Sequence, residues 1–219
     1  MSEAPPALLV LADGSVFRGR AFGASGERVG EVVFNTAMSG YQEVATDPSY
    51  AGQLVCMTYP QIGNTGVNAE DGEAGRPWAE ALIVRELSPR ASSFRAVERL
   101  EEWFARTGVV GIEGIDSRRL TRVLRIEGAM PGVLSSEDHD ERSLEAKAKA
   151  APSMAGQDLA GRVTCAEPYT WSEGWPAQWT KDPRGDDVTG PWDPTYRVVA
   201  LDFGIKRNIL RSLVAYGIE

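Results

Sequence analysis

Residues Phe34 to Asn68 read FNTAMSGYQEVATDPSYAGQLVCMTYPQIGNTGVN. Two apolar, strand-like pieces, VVFNTAM and QLVCMTYP, enclose a polar insert containing Ser39-Gly40-Tyr41-Gln42 and Asp47-Pro48-Ser49-Tyr50. Loops held on rigid strands are where binding residues concentrate. Hydroxyl, amide and carboxylate groups at this density can orient a small polar ligand. Asp-Pro-Ser is also ordinary turn chemistry, so the residues alone leave two readings, a ligand loop or a hydrogen-bonded turn.

Toward the amino terminus, ALLVLADGSVFRGRAFG reads as a β-hairpin with Asp13-Gly14 as its two-residue turn. Further along, VGEVVFNTAM, QLVCMTYP and ALIVREL are short strands punctuated by glycine and proline. The period then changes. In SFRAVERLEEWFARTG, Phe94, Val97, Leu100, Trp103 and Phe104 share one helical face, with Ser92 or Ser93 as cap and Gly108 as stop. VVGIEGI is a strand. A helix through LTRVLRIE follows, capped by Asp116 or Ser117 and ended by Gly128. AMPGVL returns as a strand, and SLEAKAKAA is a short helix closed before Pro152. Strands first and helices later predict an α/β domain over about the first 155 residues, its helices segregated to one side.

The stretch from Glu167 to Pro194 holds five prolines and four tryptophans, including Trp171, Trp175, Trp179 and Trp192. Proline removes backbone donors and fixes φ, which predicts an extended connector. So much aromatic surface predicts that much of it packs against a domain. In RVVALDFGIKRNILRSLVAYGIE, Val198 to Phe203 is a strand-like run, apolar but for Asp202, broken by Gly204. Ile205, Ile209, Leu210, Leu213 and Val214 then line a helix face that stops at Gly217. This predicts the first strand and helix of a parallel, doubly wound sheet, which needs neighbouring strands to stand.

Composition narrows the function. A net charge of −8 with no lysine or arginine block argues against a nucleic-acid partner, because such affinity comes largely from neutralising phosphates. No apolar run approaches the ~18 residues of a membrane helix, and MSEAPPALLVLADG lacks the basic region of a signal peptide. The only two cysteines, Cys56 and Cys165, point to a reducing compartment, the cytoplasm by default. Neither sits on a Gly-x-Cys-x-Gly elbow of the kind that exposes a nucleophile. Both read as structural thiols. The single histidine, His139, falls in SSEDHDERS among acidic neighbours, as an exposed loop residue. No cysteine or histidine spacing suits a metal, and no Walker-type loop suits ATP. Arg118, Arg122 and Arg125, spaced i, i+4 and i+7 beside Arg119, form a basic stripe, either a solvated face or a protein interface.

Four blocks carry a family resemblance: Phe34 to Asn68, GIEGIDSRRLTRVLRIEGAMPGVL at Gly111 to Leu134, DLAGRVTCAEPYTW at Asp158 to Trp171, and VVALDFGIKRNILRSLVAYG at Val198 to Gly217. Their order and content resemble the small, glutamine-using subunit of carbamoyl-phosphate synthetase. The resemblance implies a layered β/β/α amino-terminal domain over 1–155, a connector over 156–195, and at 196–219 the first βα unit of a doubly wound amidotransferase domain. The sequence stops where that catalytic domain has barely begun, so the nucleophilic cysteine and its histidine–carboxylate pair are expected beyond Glu219 and the fragment is expected to be inactive alone. Ser49 is the one glutamine-binding residue carried over, in the motif from Asp47 to Gln53. Tyr41 and Gln42 are either its neighbours or loop packing. The implied partners are L-glutamine and the large subunit, where ATP and Mg are expected. The implied product is carbamoyl phosphate for arginine and pyrimidine synthesis. A non-catalytic docking module is the alternative.

Overall fold

In a computed structural model of the chain, β1 (Pro6–Leu11) and β2 (Val16–Gly23) form the opening hairpin, with Val10 opposite Val16. Its turn is longer than the predicted two residues. Only Gly14 takes positive φ (86°), while the Asp13 carboxylate accepts from the Ser15 N–H at 2.8 Å and so spans the corner. The structure describes residues 4–176 and 196–218. The chain divides into two units, 1–157 and 158–219.

In the first unit the remaining strands of the main sheet are β3 (Glu27–Asn35), β4 (Gln53–Met57), β6 (Ala81–Ile83), β8 (Val110–Glu113) and β9 (Met130–Ser135). The short β5 (Gln61–Ile62) and β7 (Glu86–Leu87) pair separately. The seven strands close on themselves in the order β1-β2-β8-β6-β4-β3-β9. Three successive pairings, β3–β4, β4–β6 and β6–β8, are parallel, and the other four are antiparallel. Closure leaves no strand of this sheet with an unpaired edge.

Alternation along the strands sorts side chains into two cores. Val32, Leu54, Cys56, Ala81, Ile83 and Ile112 point inward. Leu120 and Leu124 of α3 (Ser117–Glu127) pack into the same cluster. On the outer side Val55, Met57, Leu82 and Val84 meet Tyr41, Val44 and Ala45, together with Leu100, Trp103 and Phe104 of α2 (Leu100–Thr107). A third cluster sets Leu144 and Ala148 of α4 (Glu141–Ala150) against Leu8, Val10 and Val133. The mixed α/β class therefore holds. The predicted gathering of helices on one side does not, because α2 and α4 cover different arcs of a closed sheet while α3 packs into the interior cluster. Both caps at the later helices form: Asp116 accepts from the Arg119 N–H, and α3 ends at Gly128 (φ 92°).

Two predicted elements change. The helix over 94–107 begins only at Leu100, and Phe94 and Val97 are exposed. Residues before it are held otherwise: Ser92 N–H donates to the Asn64 carbonyl, and Val97 N–H to that of Val67. These bonds hold the segment against 64–67, with a turn at 93–96. Conversely, the insert read as either a ligand loop or a hydrogen-bonded turn contains α1 (Tyr41–Thr46), preceded by Gly40 at φ 79°, and one 3-10 turn at Pro48–Tyr50.

In the second unit, α5 (Leu159–Val163) and α6 (Arg207–Ala215) are the helices among the described residues. Val198 to Phe203 is not a strand. Among the described residues nothing pairs along it, and Val199, Leu201 and Phe203 are exposed. A parallel strand exists only through its neighbours' hydrogen bonds. Arg211 of α6 bonds the Glu173 carboxylate, and Asp202 accepts from the Tyr169 hydroxyl (2.7 Å) and from the N–H groups of Gly204 and Ile205. The Pro/Trp-rich stretch is described only to Pro176, where Trp171 and Trp175 are half-buried. The rest of that expectation, including Trp179 and Trp192, lies outside the described residues.

One close approach fixes how α2 seats. Gly111 of β8 lies opposite Phe22 of β2, whose ring covers it and stacks on Phe104 with centroids 5.9 Å apart. A Cβ on Gly111 would sit 2.4 Å from the Phe22 ring. Gly111→Ala is therefore expected to destabilise by about 1–3 kcal/mol through overpacking. Urea denaturation reads this as a lower midpoint at unchanged slope, and an unchanged midpoint contradicts it.

Candidate functional site

Between β3 and β4 the chain leaves the sheet as α1 and the 3-10 turn, and Ser49 stands exposed on that turn. From Tyr41 to Pro48 every residue but Glu43 is buried, whereas Ser49 is exposed. Its backbone is fixed from below. Asp47 Oδ1 accepts from the Ser49 N–H at 2.9 Å, and the Asp47 carbonyl accepts from the Tyr50 N–H at 3.0 Å. Pro48 locks φ between them. The Ser49 hydroxyl has no hydrogen-bond partner among the described residues. A polar group presented this way, on a rigid base and with donor and acceptor capacity unspent, can serve a ligand without first breaking an internal bond.

The base itself is braced from the chain that follows β4. The buried Tyr41 hydroxyl donates to the Gly66 carbonyl at 2.8 Å and accepts from the Thr65 N–H at 3.1 Å. Gln42 pairs with the backbone of Asn68 in both directions, Nε2 donating to its carbonyl (2.6 Å) and Oε1 accepting from its N–H (3.0 Å). Thr46 accepts from the Glu73 N–H at 2.8 Å. Tyr41 and Gln42 are therefore packing and bracing groups, and Ser49 is the residue of this stretch turned to solvent. Nearby, Asn35 donates to the Tyr50 hydroxyl at 2.8 Å, tying the end of β3 to the turn.

Four acidic residues surround this base: Glu43, Glu70, Asp71 and Glu73. Arg95 answers them, with Nη1 and Nη2 on the two Asp71 oxygens (3.1 and 2.5 Å) and Nη2 also 2.9 Å from Glu70. The Glu43 carboxyl is pushed up from its ordinary value, first by burial and further by the Asp71 and Glu73 carboxylates, with Arg95 pulling the other way. Arg95 and its partners were missed in the sequence because Arg95 was assigned to a helix. The legible signal was Asn68-Ala69-Glu70-Asp71, an Asx-type turn whose Asn68 Oδ1 accepts from the N–H groups of Glu70 and Asp71.

The other candidates stay apart. Cys56 is fully buried inside the closed sheet, and burial pushes its thiol up to about 12. A thiol so held cannot supply thiolate near neutral pH. His139 is exposed in the loop between β9 and α4. Arg118, Arg119, Arg122 and Arg125 are exposed along α3, with Leu120 and Leu124 buried beneath. Arg119 lies over the Phe17 ring, 4.6 Å from its centroid. Among the described residues no helix is long and apolar enough to cross a membrane.

Two outcomes follow from these environments. In the native chain Cys56 is expected to resist a thiol reagent at pH 8 and to react only on unfolding, with Cys165 as any fast-reacting site; rapid labelling of Cys56, located by peptide mapping, contradicts its burial. For Glu43 the folded state raises an acid's pKa. Its ionisation therefore opposes folding increasingly as pH rises from 4.5 through the folded value, and adds nothing below that window. Glu43→Gln is expected to raise Tm at pH 7, with the advantage closing as pH falls toward 4.5. A gain independent of pH would show that charge is not its cause.

Residues 9–134 match the family described as carbamoyl-phosphate synthase small chain, CPSase domain. The chain is 54% identical over 213 residues to the carbamoyl phosphate synthase small chain of Syntrophotalea carbinolica, covering 97% of itself and 55% of that protein. Against the small chain from a Nostoc species it is 50% identical over 217 residues, 99% of itself and 55% of the relative. For Parasynechococcus marenigrum the figures are 54% over 209 residues, 95% and 53%. The chain thus spans about half the length of the curated relatives it matches. The matched span runs from within β1 to the penultimate residue of β9 and contains the Ser49 excursion. By that match this chain belongs to the carbamoyl-phosphate synthase small-chain family.

Proposed function

We propose that this chain serves as the amino-terminal part of the small subunit of a glutamine-hydrolysing carbamoyl-phosphate synthase. In that reading the small subunit releases ammonia from L-glutamine. A large subunit, holding ATP and Mg, then makes carbamoyl phosphate for arginine and pyrimidine synthesis. The first unit is the amino-terminal domain, for which the family likeness implies β/β/α layers. Residues 156–195 are its connector, and 196–219 open a glutamine amidotransferase domain. The nucleophilic cysteine with its histidine–carboxylate pair belongs to a part of the synthase outside these residues, so these residues alone release no ammonia. Two cysteines without a disulfide suit the cytoplasm.

The observation that carries the reading is the Ser49 hydroxyl, exposed and unspent on a braced turn. Its role is to donate to or accept from the polar groups of glutamine and hold the substrate in register for attack, a positioning contribution and not a bond-making step. A docking role alone, with no part in substrate binding, is favoured only by the exposed arginine stripe of α3, which would suit an acidic surface on a partner.

Kinetics with two nitrogen donors test this. In an assembled synthase carrying this domain, Ser49→Ala is expected to weaken glutamine use while sparing activity with free ammonia. Losing one hydrogen bond to a polar ligand costs about 0.5–1.5 kcal/mol, or up to ~3 if a charged group is left unpaired. At ~1.4 kcal/mol per factor of ten, the glutamine KM rises roughly 2- to 150-fold. Equal losses with both donors would assign the effect to folding or docking. An unchanged glutamine KM would return Ser49 to a turn-forming role.

A further inference from the structure

We infer that Arg95 is a positioning residue for glutamine use, locking the 41–50 segment through the turn at 68–73; the glutamine part of this rests on the function proposed above. Three excursions from the sheet meet here. Residues 36–52 carry α1 and Ser49, 58–80 carry the acidic turn, and 84–109 carry Arg95. Backbone bonds fasten the first to the far end of the second, where the Trp78 and Ala79 N–H groups donate to the Ala45 carbonyl, but none of them reaches the turn at 68–73. Side chains do, at both ends of α1: Gln42 to Asn68 at its start, and Thr46 to Glu73 at its end. The turn between those two anchor points is what Arg95 grips.

The grip has a specific geometry. The Arg95 side chain is only 17% exposed. It binds Asp71 with two parallel N–H donors, and Nη2 also reaches Glu70 and, at 3.4 Å, Asn68 Oδ1. Asn68 in turn donates to Asp71 Oδ2 at 2.8 Å. A guanidinium satisfies this fork, whereas an ammonium can reach only part of it. The charge matters as well, since Glu43, Glu70, Asp71 and Glu73 would otherwise face one another across α1. Arg95 lies in a turn closed by the Ala96 N–H on the Ser93 carbonyl, and its neighbour Phe94 is 95% exposed. The side chain is turned inward while its apolar neighbour is left outside, so hydrophobic burial did not place it there.

The test uses an assembled synthase carrying this domain, with Arg95→Gln and Arg95→Lys beside Ser49→Ala. Three quantities are read: amide exchange at Asn68, Glu73 and 41–50, glutamine KM and kcat, and turnover with ammonia. Arg95→Gln is expected to speed exchange at those amides and to raise glutamine KM about 2- to 30-fold, with kcat and ammonia turnover kept. Arg95→Lys should fall between it and the parent, and it carries the same test if the glutamine variant fails to assemble. Unchanged exchange overturns the inference. So does faster exchange with an unchanged glutamine KM, whatever Ser49→Ala does, and so does equal loss with both donors. If Ser49→Ala leaves KM unmoved while Arg95→Gln raises it, the Ser49 contact fails and the positioning role stands.

Discussion

Parallel pairing of β3 with β4 is the constraint on which the rest of this domain depends. Two antiparallel strands can be joined by a tight turn, but parallel neighbours require the chain to travel back along the sheet before it can pair again. Residues 36–52 make that journey. The next two pairings, β4 with β6 and β6 with β8, are parallel too, so 58–80 and 84–109 must make the same kind of journey. All three passages contribute to the apolar cluster on the outer side of these strands. The Ser49 turn is thus no appendage. It is a bend in an obligatory crossover, and its rigidity comes from sharing a cluster with the two crossovers that follow.

Crossovers that lie side by side must satisfy backbone groups that no ladder takes. Here backbone bonds such as those of Trp78 and Ala79 to Ala45 share that work with a few side chains: Tyr41 on Gly66 and Thr65, Gln42 on Asn68, Thr46 on Glu73. Each such group would be expensive to leave unmet once buried. The acidic residues in the 68–73 turn follow from the same need, because Asx-type turns favour them, and they create a local surplus of negative charge. Arg95 resolves that surplus from the third crossover. Electrostatics therefore joins what hydrogen bonds had already brought near, and Glu43, its pKa raised first by burial, feels the Asp71 and Glu73 carboxylates in the same direction and Arg95 in the opposite one.

Much of this was legible in the chain before any coordinates. Strand-prone runs set off by glycine and proline located every strand of the closed sheet, and of the two caps offered for α3 Asp116 is the one that forms, with Gly128 at its end. Ser49 was singled out from its motif and does stand exposed. What failed has a common physical cause: partners distant in sequence. Phe94 and Val97 fit the helical period of Leu100, Trp103 and Phe104, yet bonds to 64–67 pull them off the helix. Local propensity cannot weigh a competitor that arrives from another crossover. The same applies to closure of the sheet. Nothing in β1 or β9 announces that they will meet, since Leu9 opposite Leu134 is a matter of register across more than a hundred residues.

The second unit makes the same point from the other side. Val198 to Phe203 has much of the intrinsic character of a buried strand, with Val198, Val199, Leu201 and Phe203 apolar and only Asp202 charged. Among the described residues it has no ladder partner and exposes Val199 at 91% and Leu201 at 77%. By contrast α6 forms, because a helix satisfies its own backbone bonds internally. Asp202 and Tyr169 still order the bend between run and helix, through contacts that require no sheet. Helix, bend and cap are local solutions, while a parallel strand is a relation between segments. A sequence can be read for the first kind residue by residue, but for the second it states only what the run would become beside the right neighbours.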